Sequence, residues 1–257
     1  MHDPSDPPAA AEPRLIDHLI ELRARLLRAV AGLMLVFVAL IPFGAELFSR
    51  LAQPLIVNLA AGQKLVSVDA TSGFSASIKL AFFAALTLTM PWLLYQAWAF
   101  VAPGLYEHEK KLAVPIIVAS TALFLLGVAF CYYFVFGQVF SFIHGFAPKS
   151  ITPAPDIEAY FSFVITMFIA FGVTFEIPIV VIVLVRMGIV SVARLRDARP
   201  YVIVGAFVVA AVVTPPDVLS QFMLALPMCL LYEAGLFLAR FISVRQKDQS
   251  DYKAESG

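Results

Sequence analysis

Glu176 stands in the run Phe171-Gly172-Val173-Thr174-Phe175-Glu176-Ile177-Pro178, where almost every neighbour is apolar. A lone charge facing lipid is disfavoured by several kcal/mol. The carboxyl therefore either lines a polar cavity inside the membrane or is kept neutral or hydrogen-bonded between helices. Glu233, near the end of the last apolar run, can simply reach headgroups. Glu21 and Arg23 lie in an amphipathic stretch, and Glu109 lies in the mixed run Glu107-His108-Glu109-Lys110-Lys111. Taken alone, both patterns read as solvated surface, with Arg23 serving only to set topology. Phe100 closes the aromatic group Tyr95-Gln96-Ala97-Trp98-Ala99-Phe100, a composition that usually anchors a helix at the membrane interface. Cys131 and Cys229 sit in apolar runs without metal-ligand spacing, so the sequence indicates neither a metal site nor a disulfide. G-x-x-x-x-G-K-[ST], H-E-x-x-H and G-x-S-x-G are all missing, and we expect neither an enzyme nor a cofactor.

The elements that must position these residues follow from composition. Of the residues, 61% are hydrophobic and 14% charged, and the mean hydropathy is +0.88. The charges fall in clusters separated by long apolar runs, as a bilayer imposes, and the pattern predicts an all-α membrane protein. Residues 1–13, rich in Pro, Ala and Asp, read as a disordered arm. From Arg14 to Arg28, Leu15, Leu19, Leu22 and Leu26 recur at helical spacing, predicting an amphipathic segment that runs straight into a first span over 29–48. A basic start before an apolar run also suits a secretory signal. With no small-x-small cleavage site after it, we read it as an uncleaved anchor.

Further spans are expected over 74–101, closed by Ala102-Pro103-Gly104, over 112–144, and over 157–187. The fifth, 201–213, and the sixth, 218–241, interrupted by Pro227, are expected to be short. The fifth reaches only ~20 Å against a hydrocarbon core of ~30 Å. Around Thr214-Pro215-Pro216-Asp217 the two should form a tight hairpin beneath the outer surface, with the bilayer thinned beside it or other protein covering its end. Pro42, Pro54, Pro91, Pro115, Pro178 and Pro227 should bend or break helices and favour a concave bundle. The membrane domain is thus placed at 14–241 and a disordered cytoplasmic tail at 242–257. With six spans and both termini in the cytoplasm, fourteen Lys and Arg lie inside and only Arg50, Lys64, Lys79 and Lys149 outside.

The order of motifs along nearly the whole chain closely resembles the TatC family, the receptor subunit of the twin-arginine protein translocase. The matching stretches are His18-Leu19-Ile20-Glu21-Leu22-Arg23-x-Arg25-Leu26 and Tyr95-Gln96-x-Trp98-x-Phe100-x-x-Pro103-Gly104-Leu105-Tyr106-x-x-Glu109. They continue with Phe168-x-x-Phe171-Gly172-x-x-Phe175-Glu176-x-Pro178, Arg199-Pro200-Tyr201, and Thr214-Pro215-Pro216-Asp217-x-x-Ser220-Gln221, with Pro227 and Glu233 after them.

The resemblance implies a protein of the bacterial cytoplasmic membrane that recognises signal peptides carrying paired arginines. It would help move folded proteins across the membrane on the proton gradient. It implies that Glu21 and Glu109 bind the arginine pair and that Arg23 and Phe100 shape the same cytoplasmic site. Two carboxylates suit two planar guanidinium forks far better than one, so Glu21 and Glu109 must converge in the fold. Glu176 becomes a polar group within the membrane along the inner face. Thr214 and Gln221 become a docking edge for single-span TatA- and TatB-type partners, with other copies of the chain in the assembly. Asp217, on the outer side, either serves that function or caps the last helix. No nucleic-acid partner is expected. The alternatives are a proton-coupled secondary solute transporter, in which Glu176 would carry a proton or ion, and a scaffold that only assembles other membrane proteins.

Overall fold

The computed structural model describes residues 12–49, 69, 71–101, 110–139, 141, 156–214 and 217–255. Every regular element among them is helical. α1, Glu12–Leu40, passes through a 3-10 turn at Ile41–Phe43 into helical residues 44–49. α2 is Ser72–Val101, and α3, Lys110–Phe130, continues through a π-helical turn at Cys131–Val135. α4, Ile157–Thr174, is followed by α5, Ile177–Arg186, then the short α6, Val192–Asp197. α7 is Arg199–Val213 and α8 is Val218–Glu255.

Five apolar helical stretches are long enough to cross a membrane: Leu19–Ser49, Ser72–Phe100, Val114–Val139, Ile157–Arg186 and Val218–Phe241. α7, with 15 residues, is shorter and reaches roughly 22 Å. Large apolar side chains such as Leu35, Phe74, Leu88, Tyr133 and Val212 face outward, which suits a lipid surround and no aqueous one.

The core forms around α4. Phe161, Val164, Met167, Phe168 and Phe171 are buried among Ala76 and Leu80 of α2, Cys131, Val135 and Phe136 beyond α3, Ala206 and Ala210 of α7, and Leu224 of α8. Apolar side chains alone do not drive helices together in lipid, so close backbone approach matters more than bulk. Gly127 of α3 and Gly172 of α4 supply it. A Cβ on Gly127 would lie 2.5 Å from the Phe171 carbonyl oxygen, and one on Gly172 would overlap the Phe124 ring. At one end of the bundle Lys79 Nζ donates to Glu158 Oε1 and Ser162 Oγ, each at 2.7 Å, fastening α2 to α4. Asp156 caps α4 there, its Oδ2 accepting from the amides of Glu158 and Ala159.

Several expectations change. The fourth span is two helices, because Pro178 has no N–H for the carbonyl one turn before it, and the chain turns at Phe175-Glu176. Pro91, Pro115 and Pro227, by contrast, lie inside continuous helices. The sixth helix is not short: α8 spans 38 residues and runs unbroken beyond Phe241 to Glu255. An established helix propagates without a new nucleus, and Lys, Gln, Arg, Ala and Glu are good helix formers, so polarity alone does not end it. α6 was also unforeseen. Ser191 caps it, its Oγ accepting from the Arg194 amide, after Gly188 has ended α5 with φ at +70°.

Candidate functional site

At one end of the bundle the first half of α1 lies against the last turns of α2. The Trp92 Nε1–H donates to the Arg28 carbonyl at 3.1 Å and ties the two helices, and the Trp92 and Tyr95 rings stack with centroids 5.8 Å apart. Between the helices is a cleft of about 270 Å³, lined from α1 by Leu22, Arg25, Leu26 and Ala29 and from α2 by Leu93, Gln96, Ala97 and Phe100. These positions recur every three or four residues, so each helix offers one face.

Glu21 joins this cleft through Arg25. Arg25 Nε and Nη2 both donate to Glu21 Oε1, at 2.8 and 2.6 Å. A Glu one helical turn before an Arg is the favourable order for such a pair. The Glu21 side chain remains 35% exposed, so an incoming cation can reach it. Phe100, which its aromatic neighbours alone would make an interfacial anchor, lies in the cleft wall. Arg23 does not line it, since two residues along a helix rotate a side chain about 200° away from Glu21. Glu109 lies outside the described residues.

Arg25 and Gln96 are two residues that reading the sequence did not single out. Arg25 was visible as the i+4 partner of Glu21. Gln96, one turn before Phe100, is 3% exposed, and neither its amide oxygen nor its nitrogen has a hydrogen-bond partner. A buried amide left unbonded is costly, which marks the cleft floor as polar and unsatisfied.

Glu176 lies elsewhere, at the α4–α5 turn, about ten residues and so roughly 15 Å from the Arg186 end of its span. It is 8% exposed, and both carboxyl oxygens lack a hydrogen bond. Ser120 of α3 lies beside it. That hydroxyl is fully buried and accepts from Trp98 Nε1 at 3.2 Å. Trp98, Ser120 and Glu176 thus form a polar patch where α2, α3 and the α4–α5 turn meet.

Thr214, Asp217 and Gln221 sit at the opposite end from Glu21, where Thr214 ends α7, Asp217 caps α8 and Gln221 ties the two helices together. Thr214 Oγ1 donates to the Ala210 carbonyl at 2.8 Å. The Ser220 amide donates to Asp217 Oδ1 at 2.7 Å, the geometry of a helix cap. Gln221 Nε2 crosses to the Phe207 carbonyl at 3.1 Å. The fold therefore brings Glu21, Arg25 and Phe100 to one surface, keeps Glu176 inside the bundle and sets the hairpin residues at the far end. Among the described residues no cluster of His, Cys, Asp or Glu has the arrangement of a metal site.

Comparison with known proteins gives consistent matches. The family model described as Sec-independent protein translocase protein (TatC) matches residues 17–227. The chain is 46% identical over 244 residues to the Sec-independent protein translocase protein TatC of Haemophilus influenzae, covering 92% of this chain and 95% of that one. It is 47% identical over 227 residues to that of Escherichia coli, covering 88% of each. With the Halothiobacillus neapolitanus protein of the same description, identity is 48% over 226 residues, spanning 88% of this chain and 62% of that relative. Among solved structures, a crystal structure of the twin arginine translocase receptor TatC is similar with a TM-score of 0.79 and 34% identity, over 88% of this chain and 99% of that one.

Proposed function

Because this chain belongs to the TatC family of Sec-independent protein translocases, multi-pass membrane proteins and not enzymes, we propose that it is the signal-peptide receptor of a twin-arginine translocase in a bacterial inner membrane. α7 serves as a sixth, short span. Both termini lie in the cytoplasm, so the Arg25–Phe100 cleft opens on the cytoplasmic face, where precursors arrive. The observation that carries the reading is this cleft, which Arg25 of α1 and Phe100 of α2 line together and in which Arg25 holds the partly exposed Glu21.

An incoming arginine pair exchanges with Arg25 for the Glu21 carboxylate. A planar guanidinium matches that acceptor as well as Arg25 does, so the exchange replaces one charged hydrogen bond by another at little net cost. Glu109, immediately before the first residue of α3, supplies the second carboxylate. Arg23, on the other face of α1, contributes positive charge to the same end and sets topology rather than touching the cleft. The apolar part of the signal lies along the helices, with Glu176 as the polar group at depth. The α7–α8 hairpin, with Thr214, Asp217 and Gln221, forms the edge that single-span TatA- and TatB-type partners cover, and further copies of the chain complete the assembly. Transport of folded cargo draws on the proton gradient. The solute-transporter alternative loses its basis with the family assignment.

The test uses a strain lacking its own copy and two folded reporters, one with a twin-arginine signal and one with a general secretory signal. Glu21→Ala and Glu109→Ala should each abolish export of the first and spare the second. Equal loss of both reporters refutes the reading.

A further inference from the structure

A second polar cleft, of about 210 Å³, lies at the same end of the bundle as Glu21, where α6, the start of α7 and the last apolar turns of α8 meet. α8 contributes Glu233, Leu236, Phe237 and Arg240, one face at i, i+3, i+4 and i+7, while α6 and α7 contribute Arg196 and Arg199. The corner is rigidly built. The Tyr232 hydroxyl donates to the Leu195 carbonyl at 2.7 Å, and Arg199 Nη2 donates to Glu233 Oε2 at 2.6 Å.

Three guanidinium groups therefore face one carboxylate, and that carboxylate is already engaged. Arg199 Nε is buried without a hydrogen-bond partner. Arg196 and Arg240 have no carboxylate partner among the described residues. A buried donor and two uncompensated cations in one concavity call for an anion with several acceptor oxygens. Arginine in place of lysine favours phosphate, whose oxygens fit the planar fork. Position then selects the source. Arg240 is the penultimate residue of the apolar stretch that ends at Phe241, so its head lies at the level of lipid headgroups. Beside it, Phe237 and Phe241 pack edge to face with centroids 4.9 Å apart, and both are largely exposed to the lipid side. A soluble phosphate would gain nothing from that apolar flank, whereas acyl chains would.

We propose that this cleft binds the phosphate of an anionic phospholipid headgroup, with the acyl chains lying along Phe237 and Phe241. The local excess of two positive charges selects anionic over zwitterionic lipid. The site is independent of the signal-binding cleft, being built from other helices.

Native mass spectrometry of the purified full-length protein in detergent, titrated with dioleoyl phosphatidylglycerol or dioleoyl phosphatidylcholine, tests it. Phosphatidylglycerol should be retained in preference. The pair Arg196→Gln and Arg240→Gln together should weaken its retention by about tenfold or more. Arg194→Gln, which removes an exposed charge from the same short helix but not from the cleft, should leave it unchanged. Millimolar inorganic phosphate should not displace the lipid. Hydrogen exchange on the unmodified protein gives a readout that no variant can spoil by misfolding: phosphatidylglycerol, and not phosphatidylcholine, should protect amides over 192–202. Equal retention of both lipids overturns the proposal. So does equal weakening by Arg194→Gln, displacement by free phosphate, or protection that ignores the headgroup.

Discussion

Replacing Glu176 by Leu separates stability from function at a single side chain. The carboxyl is almost wholly buried at the α4–α5 turn with neither oxygen in full hydrogen-bond geometry, and the Ser120 hydroxyl beside it, which accepts from Trp98, has a single O–H to offer the two oxygens. A buried polar group without a partner costs about 1–3 kcal/mol relative to an apolar one of similar size. Leu is close to Glu in volume and leaves no large void. Glu176→Leu should therefore stabilise the isolated protein by about 1–3 kcal/mol. For a chain of this length that raises the melting temperature by roughly 2–4 °C per kcal/mol. Glu176→Gln keeps an unbonded polar group and should gain little. Export of a folded twin-arginine reporter should nonetheless fall with Leu, because a costly carboxyl persists where the molecule uses it. Thermal unfolding in detergent, alongside export in cells, reads both quantities. A lower melting temperature for Glu176→Leu would refute the structural premise, and a higher one with export intact would refute the functional role.

Two further predictions concern the scaffold. Asp217→Ala removes the cap on α8 and should cost about 1 kcal/mol, seen as a lower melting temperature that Asp217→Asn largely restores; an unchanged value for Ala would mean that the cap adds nothing. Gly127→Leu forces a side chain onto the Phe171 backbone and should cost at least about 1–3 kcal/mol, whereas Gly137→Ala, with open space around it, should be tolerated under the same thermal assay.

Where local chemistry decides structure, the sequence was legible. α2 was expected over 74–101 and is Ser72–Val101, since its apolar run stops at a helix-breaking triplet. The short fifth helix also matched, expected over 201–213 and found at Arg199–Val213, because the apolar run itself is short. Prolines were read less well. Among the described residues, Pro178 separates two helices at a turn that also carries Glu176 and Pro42 sits in the 3-10 turn of the first span, while Pro91, Pro115 and Pro227 are absorbed within helices; Pro54 lies outside the described residues. Which of them breaks a helix depends on what packs around the freed carbonyl, and that is tertiary information.

The same limit applies to the site. Glu21 and Phe100 were identified by motif, and their convergence on one cleft needed α1 to pack on α2 through Trp92. Arg23 is grouped with them by the family resemblance, and helical rotation puts it on a face of α1 other than the one lining this cleft. Gln96 carried no signal, since an amide within an aromatic run looks like any interfacial residue until its burial is known. The cleft at Arg240 was equally hidden. Its arginines read as topology signals, and only the short α6 brings Arg196 across to α8.

The central claim is that the cleft between α1 and α2 receives paired arginines. A photo-crosslinking amino acid at position 100, in a translocase that still exports, tests it directly. With a signal peptide carrying Arg-Arg, adducts should form at residues flanking the pair, and they should vanish with Lys-Lys or with Glu21→Ala. Adducts that form equally with Lys-Lys, or only from probes in the Thr214–Gln221 hairpin at the opposite end, would contradict the account.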